Sequence, residues 1–252
     1  MMKTITQLAV CTLIVLGLTS CKKENASDPV TDNGTVHVSM QHVWGMTEQP
    51  FYLDSTFIHP MSGDTMTFYT TKYYISNFKL KSTDGSWHAM NDSYFLVDLA
   101  NPTSTQLNLG NFPVGTYTEM SYVLGVDSLR NVSGAQGGAL SPTNGMFWSW
   151  NTGYIMFKLE GTSPQSASSM FTYHIGGFSG VNNTVHVKNH VFSEPVTLEK
   201  NGTKTIVLSA NIAKAFHTLG SVANNNMIHM PGATGTQMAH DFHGGFQFVT
   251  VQ

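Results

Sequence analysis

The amino-acid sequence predicts an all-β protein that forms a single β-sandwich-like domain. Its segments are short and rich in β-branched and aromatic residues, and clusters of Gly, Asn, Asp and Pro separate them. The 3.6-residue periodicity of amphipathic helices is scarce, so only one or two short helices are expected. The domain is predicted to span residues 34–252, about 220 residues, which suits one all-β domain.

The residues before this domain predict export and membrane anchoring. Residues 1–20 are predicted to be a signal peptide, because Lys3 gives a positive start and a short apolar run follows over residues 8–18. The run ends in Leu-Thr-Ser-Cys, which is similar to the lipobox that places a lipidated cysteine, here Cys21, at the mature N-terminus. Residues 21–33 are polar and predict a flexible tether. The alternative is a plain secretory signal with a chance cysteine.

Lipidation at Cys21 would hold the protein on a membrane, since each buried acyl methylene contributes about 0.8 kcal/mol. Lys22 and Lys23 give no obvious signal for retention at the inner membrane, so we expect a periplasmic protein on the outer membrane. Cys11 leaves with the signal peptide, and the mature domain then has no thiol for an internal disulfide or a thiolate metal site.

Eleven strands and two short helices are predicted in chain order. The strands cover residues 35–43, 65–71, 73–81, 94–99, 115–126, 154–160, 170–175, 185–191, 196–200, 204–210 and 245–251. Asn201-Gly202 predicts a type I′ hairpin between two of these strands, because both residues tolerate positive φ. The helices are predicted over residues 211–216 and 234–242.

A long Gly- and Trp-rich loop is predicted over residues 127–152. It contains four glycines and a proline, and then Met-Phe-Trp-Ser-Trp at residues 146–150. Loops of this length in compact domains are usually functional or disordered, and the presence of Trp148 and Trp150 argues against disorder. The two indoles are candidates for capping the sandwich core, for stacking on a sugar, or for oxidative modification.

Composition and motifs exclude several functions. The net charge is −3 and no basic stripe is present, so nucleic acid is not expected as a partner. Because the chain has no nucleophile elbow, zinc-protease motif, P-loop or dinucleotide fingerprint, we expect no enzymatic activity. The 11 His and 14 Met are unusual beside 12 Lys and Arg, and they indicate metal binding, pH sensing or drift in a chain that avoids charge.

Strand alternation predicts where several histidines point. His42 shares its strand face with three apolar residues and is predicted to face the core, whereas His37 faces solvent. A buried imidazole needs a partner, which is either a hydrogen-bonding group or a metal ion.

Two further pairs of histidines lie near the C-terminal end of the chain. His186 and His190 share a strand face with a lysine and are expected to be solvated. His240 and His243 are three residues apart and would be neighbours on a helix. Such a pair is either a chelating pair or simply two exposed imidazoles.

His174 and His229 lie in surroundings that favour a metal. His174 ends a strand just before Gly176 and Gly177, where the backbone of another segment can approach closely. His229 lies in Met-Ile-His-Met-Pro, between two thioethers. Imidazole combined with thioether suits copper, above all Cu(I), better than it suits magnesium or calcium.

Six stretches of the chain stand out as a set of motifs. They are Tyr-Tyr-Ile-Ser-Asn-Phe at 73–78, Gly-Val-Asp-Ser at 125–128, Gly-Met-Phe-Trp-Ser-Trp-Asn-Thr-Gly-Tyr at 145–154, Phe-Thr-Tyr-His-Ile-Gly at 171–176, His-Met-Pro-Gly at 229–232 and the closing strand at 246–251. They cover nearly the whole mature chain and are quite specific as a set. Together they resemble the MbnP-like family, which is named for a periplasmic protein associated with methanobactin.

The resemblance implies a β-rich periplasmic fold that binds copper, as Cu(I) or Cu(II), through histidines and through a kynurenine made from tryptophan. It also implies a partner dihaem enzyme of the cytochrome c peroxidase type that performs this oxidation. Carried onto this chain, the metal ligands are His174, His42, His229 and Trp148. Trp148 is the expected kynurenine, with Trp150 as the second candidate.

The chain departs from that family at two places. Asn131-Val132 stands where relatives carry an Asn-His pair, and Gly-Phe-Ser-Gly at 177–180 stands where they carry cysteines. The chain therefore resembles a cysteine-free branch found as lipoproteins. Our leading hypothesis is a copper-binding or copper-handling lipoprotein. The alternative is a non-catalytic β-sandwich module that recognises glycan or protein through Phe147, Trp148 and Trp150.

Overall fold

The computed structural model describes residues 32–149 and 153–252. The predicted signal peptide, the lipidation site Cys21, nearly all of the tether and the candidate Trp150 lie outside the described residues. Within the two described ranges, no helix is both long enough and apolar enough to cross a membrane.

The domain is built from β-strands, as predicted. In chain order these are β1 (Asn33–Trp44), β2 (Gln49–Pro50), β3 (Thr56–Ile58), β4 (Thr65–Ser82), β5 (Trp87–Ala89), β6 (Tyr94–Asp98), β7 (Gln106–Pro113), β8 (Gly115–Leu124), β9 (Phe147–Trp148), β10 (Gly153–Thr162), β11 (Met170–Gly176), β12 (His186–Leu198), β13 (Thr203–Asn211), β14 (Met227–Ile228) and β15 (Phe246–Val251). The α-helices are α1 (Ser128–Val132) and α2 (Ala233–Gly244). Short 3-10 helices cover Pro102–Thr105, Gly138–Leu140, Pro142–Asn144, Gly180–Asn182 and Ile212–Phe216.

The strands form two mixed sheets in a sandwich-like arrangement, which confirms the all-β class. The smaller sheet has the order β15-β13-β1-β2, with β7 also paired to β1, and β1 runs parallel to β13. The larger sheet has the order β12-β8-β4-β10-β11-β14, and short strands pair with β4 and β10. The alternation along β1 is as predicted, since Val36, Val38 and Met40 are buried.

Two pairs of predicted strands merge in the structure. The segments at 65–71 and 73–81 form the single 18-residue strand β4, and those at 185–191 and 196–200 form β12. In β12 irregular register explains the apparent break, since the pairing shifts between Val191 and Val196. In β4 the pairing shifts between Ser76 and Lys79, which lies beyond the predicted break at Lys72. A bulge interrupts the alternation of side chains without ending the strand.

The predicted hairpin at Asn201-Gly202 is wrong. The strands on either side, β12 and β13, belong to different sheets, so this turn carries the chain across the sandwich. Asn201 adopts a φ of 56°, and Gly202 N donates to Glu199 O over 2.9 Å. Asn-Gly supplies the positive φ that a tight turn requires, and it does so whether or not the flanking strands pair.

The main core between the sheets is strongly aromatic. Trp44 stacks on Phe51 with ring centroids 5.9 Å apart, and its indole Nε1 donates to Ile58 O over 2.9 Å. Phe68 meets the same indole edge-on at 5.3 Å. Such ring pairs add about 0.5–1.5 kcal/mol each to the burial of apolar area, so this cluster fixes how the two sheets pack.

A second, smaller core lies on the outer face of the large sheet. Tyr73 and Tyr74 are neighbours on β4, so their side chains point to opposite faces, and Tyr73 belongs to the main core. The second core is made by Tyr74, Val126, Leu140, Met146, Trp148, Tyr154, Ile155 and Met156. Residues 127–149 of the predicted loop therefore fold over this face, and Trp148 caps the second core.

Candidate metal centre

Polar side chains of β10 and β11 share the outer face of the large sheet. On β11, Tyr173 and Ile175 are buried in the main core, so His174 between them faces outward. On β10, Lys158 and Glu160 face the same way, and Lys158 is the register partner of His174. Strand alternation thus gathers an imidazole, an ammonium and a carboxylate at one edge of the second core.

Glu160 holds His174 in place. Its Oε1 lies 2.7 Å from His174 Nε2, and the two side chains are largely buried. This hydrogen bond is the main cause that lowers the pKa of Glu160 to about 2, although partial burial opposes it. Glu160 is therefore a carboxylate at neutral pH. A carboxylate that accepts one ring N–H of a histidine leaves the other ring nitrogen with its lone pair, which is the usual arrangement behind a metal-bound imidazole.

His229 stacks on His174. The two-residue strand β14 runs parallel to β11, with Ile228 paired to Tyr173, and a histidine follows each of these two residues in the chain. The ring centroids are 4.6 Å apart and the planes are inclined by 13°. Burial is the main cause that lowers the pKa of His229, and the neighbouring His174 lowers it further, so the ring is neutral near pH 7.

The distance between the two ring centroids falls within the roughly 4.5–5.5 Å of two imidazoles bound to one metal at about 2.0–2.1 Å. Stacked rings do not both point a lone pair at one ion, so binding requires the exposed His229 to turn about its side-chain bonds. The exposed thioethers of Met227 and Met230 flank His229, with 63% and 65% of their surface accessible. Lys158 opposes a cation, but Glu160 offsets its charge, and burial lowers the pKa of this lysine.

Trp148 lies on the same outer face. It is 6% exposed. A Cβ added to Gly176 would come within 2.7 Å of Trp148 Cζ3, so the far edge of the indole rests directly on this glycine. Gly176 is two residues beyond His174 on β11, which places the indole beside the imidazole pair. Because so little of the ring is exposed, it offers little surface for stacking on a sugar.

Asp127 and Asn131 fix the loop that carries Trp148. Asp127 caps α1 by accepting from Arg130 N, and it also accepts from Asn77 Nδ2 and Tyr94 Oη. The fully buried Asn131 donates to Val126 O and accepts from the backbone N of Tyr154, 2.9 Å away. These bonds tie both ends of the loop to the sheet.

His42 lies apart from this group. Its side chain faces the main core, as predicted, and a 2.9 Å hydrogen bond joins its Nε2 to Tyr73 Oη. His174 is on the opposite face of the large sheet, so the structure does not bring His42 together with His174 and His229. Strand alternation predicted that His42 points inward, but it could not show that the other candidates point outward.

We expect His42 to make stability depend on pH. Burial lowers the pKa of His42 to about 4, from 6.5 for a free imidazole. The unfolded chain therefore binds the proton first as pH falls, and stability is lost between about pH 6.5 and pH 4, by up to about 1.4 kcal/mol per pH unit.

Urea unfolding of wild type and His42→Gln at pH 4 to 8 measures this effect. The glutamine can keep a hydrogen bond to Tyr73 but does not titrate. The difference between the two proteins in free energy of unfolding should change by about 2–3 kcal/mol between pH 8 and pH 4. Parallel curves would contradict a buried neutral His42.

The donors present fit copper as a two-histidine site. No set of three His, Cys, Asp or Glu side chains in residues 32–149 and 153–252 stands ready to hold a metal ion. His174 and His229 can supply two imidazole nitrogens, and a further strong ligand has to come from a modified indole, a thioether or solvent. This donor chemistry suits copper better than a hard cation.

The expectation for His186 and His190 is corrected. His190 is only 8% exposed, and its Nε2 makes a 3.0 Å hydrogen bond with Tyr122 Oη. Val187 and Val191 are the exposed residues of this strand, at 58% and 71%. The face of β12 that carries His186 and His190 therefore packs inward. An imidazole can pack on a tyrosine ring and form a hydrogen bond with the tyrosine hydroxyl at the same time.

Sequence reasoning missed Glu160 and Asn131. A signal for Glu160 existed, because Lys158 and Glu160 are two residues apart on an otherwise apolar strand and must share a face. Residue patterning could not predict the bonds of Asn131, since they depend on the path of the loop.

Comparisons with known proteins agree with this architecture. The sequence model of the MbnP family matches residues 33–231, which include Trp148, His174 and His229. The solved structure of MbnP from Methylosinus trichosporium is similar in fold, with a TM-score of 0.50 and 15% sequence identity over 80% of this chain and 83% of that chain. No curated protein matches the chain. The family match spans most of the described domain, and the chain belongs to the MbnP family.

Proposed function

We propose that this protein binds copper in the periplasm, that a lipid on Cys21 anchors it to the outer membrane, and that it is not itself an enzyme. The observation that carries the proposal is the stacked pair of His174 and His229 beside Trp148 on one face of the large sheet. Membership of the MbnP family and the scarcity of thiols support a site built on imidazoles.

Each residue has a separate role in this proposal. Glu160 accepts the Nε2 proton of His174 and orients the ring, which leaves Nδ1 with a lone pair. His229 offers a second neutral imidazole. Copper bound here would supply a soft cation for storage or transfer, and Met227 and Met230 would favour the Cu(I) state.

Trp148 becomes a ligand in this proposal only after oxidation. The indole nitrogen has no free lone pair with which to coordinate a metal ion, whereas kynurenine carries an aromatic amine. In the conversion two molecules of hydrogen peroxide deliver two oxygen atoms to the indole and leave as water, and the C2–C3 bond breaks. One water then hydrolyses the formyl group, which leaves as formate. A partner dihaem enzyme of the peroxidase type would perform the oxidation, and Trp150 is the second candidate residue.

Two measurements on one preparation test the proposal. Protein from its native host should bind one equivalent of copper, and its intact mass should exceed that of protein made without the partner by about 4 Da, the change from tryptophan to kynurenine. Tandem mass spectrometry should place the change on Trp148. Copper binding without the mass change would reject the kynurenine ligand, and the absence of stoichiometric copper would reject the function.

A further inference from the structure

Three histidines outside the candidate metal centre form a second cluster. His186 lies at the start of β12, and His240 and His243 lie on α2. The His186 ring centroid is 5.1 Å from that of His243 and 5.9 Å from that of His240. In the order of the large sheet, strands β8, β4 and β10 lie between β12 and β11, so this cluster is separate from His174.

His186 carries a buried nitrogen without a partner. Its Nε2 is inaccessible to solvent and makes no hydrogen bond within the described part of the chain. Burial, together with His243 and His240, lowers the pKa of His186 to about 4, so the ring stays neutral in the physiological range. A buried polar atom left unpaired is destabilising, and such atoms in native proteins usually mark water, an ion or a functional group.

One ring nitrogen of His243 is hydrogen-bonded to the backbone. Its Nε2 lies 3.1 Å from Val187 O and donates to this carbonyl, so Nδ1 keeps its lone pair. Metal-bound histidines usually give their other ring N–H to such a carbonyl. The spacings of 5.1 and 5.9 Å lie close to the roughly 5–5.5 Å expected for imidazoles on one tetrahedral ion with metal–nitrogen distances of about 2.0–2.1 Å.

We propose that His186, His240 and His243 form a second metal site, which takes a borderline divalent cation such as Zn²⁺. The donor set is imidazole alone, and imidazole suits zinc. Among the described residues these three side chains are not arranged to hold an ion as they stand, so binding requires at least one ring to turn, and His240 is exposed. Lys188 Nζ donates to His243 O over 3.3 Å, and this nearby positive charge lowers the affinity for a cation.

A water molecule is the competing partner for His186. The ring lines a cavity of about 10 Å³ together with Met156, Ala239 and Phe242. A space of this size holds about one water. Added zinc distinguishes the two explanations, because a cavity that holds only water would not bind zinc.

The test uses purified protein with His174→Ala and His229→Ala, so that the first centre cannot contribute. After removal of metal by a chelator, isothermal titration should show one Zn²⁺ bound per chain, and zinc should raise the melting temperature. His186→Ala and His243→Ala, added separately, should each weaken binding by about 100-fold or more, because a lost ligand costs at least as much as a lost supporting bond. His37→Ala, on the small sheet, is the matched control and should bind as the background does.

Clear outcomes overturn the proposal. Failure of the background protein to bind zinc, or unchanged affinity after His186→Ala, would leave water as the partner of His186. If His186→Ala does not fold, the zinc affinity of His243→Ala tests the proposal by itself. His243 is only half-buried, so we expect this variant to fold. None of these results depends on copper binding at His174 and His229.

Discussion

Replacing His229 with alanine is expected to weaken Cu(I) binding by about 100-fold, or about 2.8 kcal/mol, without a change in fold. His229 is exposed and lies beside His174, so its removal deletes one of two nitrogen donors and leaves the core intact. Competition with a chromophoric Cu(I) chelator measures the affinity, and thermal unfolding checks the fold. His174→Ala should cause a similar loss.

Two histidine variants serve as controls for this prediction. His37→Ala removes a partly exposed imidazole from β1 in the small sheet and should leave copper affinity unchanged. His42→Gln should also leave it unchanged, because His42 lies on the other side of the large sheet. A loss with His42→Gln as large as that with His229→Ala would mean that the copper site lies elsewhere.

Gly176→Ala is expected to destabilise the domain by about 1–3 kcal/mol and to displace Trp148. The added methyl carbon would lie 2.7 Å from Trp148 Cζ3 and 2.7 Å from Tyr154 O, which is closer than such atoms approach in real structures. Either the indole moves off the sheet or β10 and β11 separate. Urea unfolding measures the free energy of unfolding. Copper affinity should fall as well, because Trp148 is displaced.

A double variant separates the two clashes at Gly176. Trp148→Phe removes the far ring atoms Cζ3 and Cη2, so Gly176→Ala should cost less in that background than in wild type, although the contact with Tyr154 O remains. Gly137→Ala is the control, since nothing lies within 4 Å of its added carbon. If Gly176→Ala proves as harmless as Gly137→Ala, Trp148 does not pack where the structure puts it.

The alternation of apolar and polar residues predicted most of the strands but could not predict which face of each strand is buried. Alternation along β1 correctly predicted that the His42 side chain faces the core, because three buried apolar residues share its face. The same reasoning failed on β12, where the valines are exposed and His190 is buried against Tyr122. Hydrophobicity distinguishes the two faces of a strand. Which of the two faces is buried depends on what packs against each of them.

The metal centre depends on contacts between segments distant in the chain. His174 and His229 meet because the two-residue strand β14 pairs with β11, and a strand this short leaves no periodic signal in a sequence. The thioether and glycine neighbours of these histidines did mark them as candidates. Their separation from His42 follows from the sheet that lies between them, which is a property of topology.

The most direct test of the central claim is anomalous scattering at the copper edge from crystals of the protein grown with Cu(I). We expect one strong peak about 2.0–2.1 Å from a ring nitrogen of both His174 and His229, on the face that carries Trp148. A copper peak at His42, or at the cluster of His186, His240 and His243 with none between His174 and His229, would contradict the account.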